Sequence, residues 1–314
     1  MGSPAGRCRL TGAKVALAAD ADLLSEAQRV SGEVDRIFEA ALADRCDGRD
    51  RLCGAMRHAA IGGGKRLRPL LTVAASQLFA IDEARALRAG AAVEAIHVYS
   101  LIHDDLPCMD DDDLRRGKPT VHKAYDEATA VLAGDCLHAL AFELLAEPAT
   151  HEDPFVRAEL VLELSRASGL DGMAGGQMMD LAAEGQDLDL GAITRLQSLK
   201  TGALIEYAVE AAAIMARLTH EARVPLKGYA RNVGLAFQIA DDLLDHAGDE
   251  AAAGKRLQKD ADAGKATFVS LLGEERARAQ ANLLVEQAIE HLHDHGEQAE
   301  LLRAIARYAV ERDR

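Results

Sequence analysis

Apolar residues recur along almost the whole chain at the spacing of one helical face, near 3.6 residues. Leu23 to Ala43 predicts an amphipathic helix, with Val30, Val34, Ile37, Phe38 and Leu42 on its buried stripe. Ala84 to Asp105 is apolar on nearly every side and predicts a buried central helix. Further helices are predicted over 128–146, 155–168, 192–216, 226–245 and 276–310. Breakers separate them: Gly62-Gly63-Gly64, Pro107, Gly117 with Pro119, Pro148, Pro154, Gly185, Pro225 and Gly248. Nothing alternates with the period of a strand, and no Pro- or Ser-rich linker divides the chain. The expectation is an all-α, single-domain protein.

Composition sharpens this picture. The 314 residues are 49% hydrophobic but only 4% aromatic, with no Trp. A sandwich or barrel would draw on more β-branched and aromatic residues. The net charge of −15 excludes a basic nucleic-acid coat, so no nucleic-acid partner is expected. Five cysteines, Cys8, Cys46, Cys53, Cys108 and Cys136, fit neither a zinc ribbon nor a CxxC site and read as free thiols of a reducing cytosol. The N-terminal apolar patch is too interrupted for a signal peptide, and no apolar run approaches a membrane span. A cytoplasmic protein without a stable membrane anchor is expected.

Two acidic motifs break the apolar rule. Asp104, Asp105 and Asp110 form DDxxxxD, and Asp241, Asp242 and Asp245 form DDxxD. The pentapeptides Ile102–Leu106 and Ile239–Leu243 echo each other, each closing an apolar helix. Asp241 and Asp245 share a helix face, about one turn apart. Asp110 falls roughly 120° away from Asp104 on a regular helix. Pro107 should unwind the chain there and return Asp110 to the site. An acidic run is by default a solvated loop. Two, each ending an apolar helix, point instead to hard oxygen donors for Mg²⁺, which binds through a few carboxylates together with water and substrate phosphate. Cations follow closely: Lys65, Arg66 and Arg68 beside three glycines, and Arg115, Arg116 and Lys118 after the first motif. Guanidinium groups grip phosphate oxygens in pairs. Neither Gly62–Lys65 nor Gly264-Lys265 satisfies GxxxxGK[ST], so no nucleotide is implied.

GGGKRLRP, HDDLPCMDDDDLRRGKPTVH, GGQMMDL, Lys200-Thr201, GLAFQIADDLLD and GKATF stand in the order found in trans-prenyl diphosphate synthases. From about residue 25 to the C-terminus the chain resembles that family, and within it the bacterial farnesyl diphosphate synthase group. The resemblance implies a bundle of antiparallel helices around a deep central cavity, forming a homodimer. Residues 1–24 would then be an N-terminal extension, partly disordered, and 25–314 the polyprenyl synthase domain. The implied reaction condenses isopentenyl diphosphate with dimethylallyl or geranyl diphosphate to give farnesyl diphosphate. Geranyl or geranylgeranyl diphosphate is the alternative product of the same chemistry. Three Mg²⁺, or Mn²⁺, would be held by Asp104, Asp105 or its neighbour, Asp110 and Asp241, with Asp242 and Asp245 completing the second motif. Gln177 and Asp180 would support them. Arg115, Lys200 and Lys255 would grip the allylic diphosphate, while Lys65, Arg68, His97 and Arg116 would take isopentenyl diphosphate. Lys265 is a further candidate contact. Thr201 and Gln238 would turn oxygen dipoles towards the allylic cation. Tyr99 and Ser100 lie about 6–7.5 Å deeper along the helix than Asp104, where a bulky Tyr resembles the floor that stops elongation at fifteen carbons.

Other readings explain less. An HD-type phosphohydrolase at His103-Asp104 needs further His ligands and leaves the second motif idle. A non-catalytic subunit would be expected to lose one motif. A terpene cyclase has no need of an isopentenyl diphosphate site at Lys65, Arg68 and Arg116.

Overall fold

The computed structural model describes residues 8–43, 48–183, 185–186, 188–247 and 267–311, with the backbone alone over 8–21. Two helices carry no polar face and sit at the centre: α4 (Glu83–Asp104) and α10 (Ala203–Met215). On α4, Ala89 to Ile96 is buried without a break, and on α10 Tyr207 to Met215 is too. A helix apolar all round has to be enclosed, and the amphipathic helices enclose these two. α1 (Cys8–Ala43), α3 (Leu67–Gln77) and α6 (Glu127–Ala146) pack on α4. α7 (Pro154–Ser168) and α11 (His220–Ala247) pack on α10, and α3 reaches both centres. Small residues set the spacing: a Cβ on Gly90 of α4 would lie 3.0 Å from the Pro69 Cα of α3. α2 (Asp50–Ala60) and the short α5 (Val121–Ala124) lie beside α6. The result is an all-α bundle of antiparallel helices.

The predicted stripe of α1 is the observed one. Val30, Val34, Phe38 and Leu42 are buried and Ile37 is half-buried. The helix runs unbroken through residue 24, and Leu23 is already in the core. Helix starts are closed by side chains: Asp82 accepts from the amides of Ala84 and Arg85, and Asp126 from that of Thr129. Pro154, read as a breaker, occupies the first turn of α7, where its missing N–H costs nothing.

Several expectations need correction. Pro225 does not start α11 but lies inside it. In the turn ahead of it Arg223 donates to the Leu218 carbonyl at 2.9 Å and to Glu159 Oε1 at 2.6 Å. The helix expected over 192–216 is three pieces: α9 (Leu190–Gln197), a π-helical turn (Ser198–Gly202) and α10. The segment 276–310 likewise divides into α13 (Glu274–Glu290), a 3₁₀ stretch (His293–Ala299) and α14 (Glu300–Glu311), after a short α12 (Phe268–Leu272). A two-residue ribbon, Leu114–Arg115 paired with Lys118–Pro119, exists where no strand was expected. Its turn residues Arg116 and Gly117 both have positive φ, as tight hairpins of twisted strands require. Cys108 and Cys136 are free thiols, but Cys53 is disulfide-bonded. Its bonding partner lies outside the described residues, as does the Cys46 side chain. Among the described residues α6 is long and apolar enough to cross a membrane, contrary to the reading of the sequence; half of its apolar window is buried within the bundle.

Candidate active site

A cavity of about 890 Å³ opens between the C-terminal end of α4, the later turns of α11, the π turn, α8 (Met173–Ala182) and the start of α3. Asp104 and Asp241 both line it, so the two distant acidic motifs face one chamber. Pro107 ends the regular helix as expected, and the returning loop is pinned by the Asp110 amide, which donates to the Asp104 carbonyl at 2.8 Å. Burial first, then the nearby Asp110 and Asp105 charges, push the Asp104 carboxyl up to about 6, against the pull of Lys200.

The second carboxylate of each motif does something different. Asp105 is 3% exposed and Asp242 8% exposed. Arg115 Nε donates to Asp105 Oδ1 at 3.0 Å. Asp242 accepts from Gln238 Nε2 at 3.0 Å and from the Phe268 amide at 2.9 Å. Gln238 Oε1 in turn accepts from Thr201 Oγ1 at 3.2 Å. Burial raises the Asp105 pKa, with Arg115 opposing it. In both motifs, then, the first carboxylate meets the chamber and the second holds a neighbouring group in place. Asp245 is half-buried and does not line the chamber.

Lys200 and Thr201 reach the chamber because the π turn presents them there. Such turns insert one extra residue and commonly occur at functional positions. Lys200 Nζ is held by Asp180 Oδ2 at 2.7 Å. Gln177, one turn before Asp180, also lines the chamber, and its Nε2 is buried without a partner among the described residues. The turn rests directly on α8, where a Cβ on Gly176 would come within 2.2 Å of the Lys200 amide nitrogen. Backbone cannot yield as a flexible side chain can. Gly176→Ala is therefore expected to displace Lys200, destabilising the protein by about 1–3 kcal/mol and lowering kcat; thermal melting and steady-state kinetics on one preparation check both.

The cationic side is equally compact. Lys65, Arg68, His97 and Arg116 all line the chamber. Arg116 lies over the glycine loop, and a Cβ on Gly64 would fall 2.5 Å from its guanidinium carbon. Gly64 has φ +88, a second reason for glycine there. Burial and then the Arg68, Arg116, Arg115 and Arg66 charges hold His97 well below the usual imidazole range, so it is neutral at pH 7. Arg66 also borders the chamber, but its guanidinium is already engaged: it is buried, donating to Glu94 Oε1 at 2.9 Å and Asp35 Oδ1 at 2.8 Å. Arg66 was counted from sequence only as one of three cations beside the glycines, and Glu94 was assigned no role. The signal was present in Glu94, a lone carboxylate three residues before His97 in an apolar helix. Tyr99 and Ser100 line the chamber with Ile205, Phe237 and Met173, which add apolar surface to it. Lys255 and Lys265 lie outside the described residues.

The profile of the family described as Polyprenyl synthetase matches residues 49–307. The chain belongs to the polyprenyl synthetase family. The match runs from the start of α2 into α14 and spans every cavity-lining residue. Farnesyl diphosphate synthase of Escherichia coli (strain K12) is 46% identical over 264 residues, 82% of this chain and 88% of that protein. Geranylgeranyl pyrophosphate synthase 11, chloroplastic, of Arabidopsis thaliana is 47% identical over 244 residues, 76% of this chain and 68% of that protein. An FPP/GFPP synthase from Zymomonas mobilis, solved in its apo form, superposes with a TM-score of 0.84 at 57% identity, covering 93% of this chain and 99% of that one. For a polyprenyl synthetase, a chamber lined by carboxylates, cations and apolar side chains provides places for diphosphates and a growing hydrocarbon.

Proposed function

We propose that this chain is a trans-prenyltransferase that condenses isopentenyl diphosphate with dimethylallyl and then geranyl diphosphate to give farnesyl diphosphate. The observation that carries this reading is the convergence on one chamber of Asp104 and Asp241 with the Lys65, Arg68, His97 and Arg116 cluster.

Asp104, Asp110 and Asp241 are the carboxylates for Mg²⁺. The raised Asp104 pKa marks a donor set short of positive charge. Among the described residues no three ligand side chains form a closed metal cage. Mg²⁺, which retains water and takes phosphate oxygens, fits an open set of this kind. When bound, it supplies Lewis-acid neutralisation of the departing diphosphate.

The residues themselves do the rest. Lys200 and Arg115 hold the allylic diphosphate, each set at its angle by a carboxylate, Asp180 and Asp105. Arg68, Arg116, Lys65 and the neutral His97 hold isopentenyl diphosphate so that its double bond faces the allylic carbon. Thr201 and Gln238, oriented by Asp242, turn oxygen dipoles towards the developing cation. The apolar walls keep water from capturing that cation. The proton lost as the new double bond forms passes to the released diphosphate, and no side-chain nucleophile takes part. A second copy of the chain is the expected cover for the outer face of α6, where Val131 and Leu132 are exposed.

Identity to relatives named for fifteen- and twenty-carbon products is alike, 46% and 47%, but the farnesyl diphosphate synthase is matched over 88% of its length against 68%, and together with Tyr99 this supports the fifteen-carbon product. Incubating the protein with Mg²⁺, unlabelled dimethylallyl diphosphate and labelled isopentenyl diphosphate is expected to yield a fifteen-carbon product. Tyr99→Ala is expected to lengthen it. A wild-type product of twenty carbons would overturn the assignment of length, and phosphate release without condensation would overturn the reaction.

A further inference from the structure

Behind Tyr99 stand two rings with no part in the reaction described above. Tyr99 meets His138 edge to face, with 4.9 Å between centroids and 87° between planes. His138 meets Phe142, one turn further along α6, at 5.1 Å and 69°. This is the arrangement that aromatic quadrupoles favour. Tyr99 lines the chamber, whereas His138 and Phe142 do not. The order outward is therefore Tyr99, His138, Phe142. Burial holds the His138 imidazole below its usual pKa, so it packs here as a neutral ring.

The fourth ring of the group is fixed separately. His103 lies 5.7 Å from Tyr99. Its Nε2 is 3.1 Å from the Val131 carbonyl and fits against Gly134, where a Cβ would approach to 2.1 Å. α4 is thus latched to α6 at His103, while the Tyr99 ring one turn earlier leans on His138.

We propose that His138, backed by Phe142, is the positioning residue that holds Tyr99 across the chamber and thereby sets product length. This rests on the reading of Tyr99 as the floor. Without the imidazole a void opens behind Tyr99, and such voids collapse partly by movement of their neighbours. The ring that can move into it is Tyr99. The brace acts on the depth of the chamber and not on the diphosphates at its mouth. Its loss should therefore alter chain length and leave the first condensation nearly unchanged.

The test is product analysis of the full chain and its variants with dimethylallyl and isopentenyl diphosphates, alongside the rate of the first condensation. His138→Ala is expected to raise the ratio of twenty- to fifteen-carbon product by about tenfold, the scale of one lost ring contact, as Tyr99→Ala also should. His138→Phe, which keeps a ring in place, should retain the fifteen-carbon product. A purely structural role for His138 would lower melting temperature and rate without changing length. Lengthening by Tyr99→Ala but not by His138→Ala overturns the brace and leaves the floor standing. No lengthening by either variant removes the floor, and the brace with it. Equal lengthening by His138→Phe and His138→Ala also overturns the brace, because a ring alone would not suffice. Phe142→Ala should give the same shift in smaller measure, and it decides the matter if His138→Ala does not fold.

Discussion

Asp104→Asn is expected to lower kcat/KM by about a thousandfold while making the metal-free protein more resistant to heat above pH 6. The kinetic loss follows from removing a hard, charged donor at the chamber rim. Charge stabilisation there is worth several kcal/mol, and about 4 kcal/mol corresponds to three orders of magnitude. The thermal effect has the opposite sign and comes from the same environment. Burial and neighbouring carboxylates raise the Asp104 pKa to about 6 in the folded chain. A group whose folded pKa lies above its unfolded value favours the fold when protonated. That contribution is complete below the unfolded pKa, near 4, and is lost as pH rises through 6. Above that pH the ionised side chain opposes folding by about 1–2 kcal/mol, discounted for its partial contact with water. The neutral amide does not ionise, so the variant should melt higher than the parent in chelator above pH 6. The two should converge near pH 4. Equal melting at both pH values would mean that Asp104 is not held under strain.

Arg66→Met should be the most damaging substitution for stability, at about 3–5 kcal/mol, because it strands a buried partner charge. Arg66 is fully buried with φ 47 and joins three elements, through Asp35 on α1, the Ala60 carbonyl ending α2, and Glu94 on α4. Its removal leaves Glu94, 1% exposed, without its direct counter-ion. Urea unfolding measures the loss. Replacing Glu94 by Leu in the same chain should recover part of it, since an apolar pair needs no charge balance. If the double variant is no more stable than Arg66→Met, the stranded carboxylate is not the cause.

Much of this architecture was legible in the sequence, and what was not has identifiable reasons. The stripe of α1 and the apolar run of α4 show because burial imposes a period on them. The π turn at 198–202 is invisible in the same pattern, because one extra residue shifts the phase too little to break a helical reading. The ribbon at 114–119 is too short to alternate. The acidic doublets were found readily, but their members are chemically identical. Only the fold shows that Asp105 and Asp242 are buried against Arg115, Gln238 and the Phe268 amide. Arg66 was hidden in the same way, among cations that line the chamber, because only the fold shows its guanidinium tied to Glu94, Asp35 and the Ala60 carbonyl. The Cys53 disulfide has no signature in spacing.

The division within each acidic doublet sets what an engineer of this enzyme can change independently. Ion preference should respond to substitutions at 104 and 241, whose side chains border solvent and ligand. Changes at 105 and 242 should emerge as misaimed Arg115 and Gln238, visible as heat sensitivity and leakage to water-quenched alcohols. A library meant to retune the metal would thus do best to vary alternate members of the pairs and leave their twins alone.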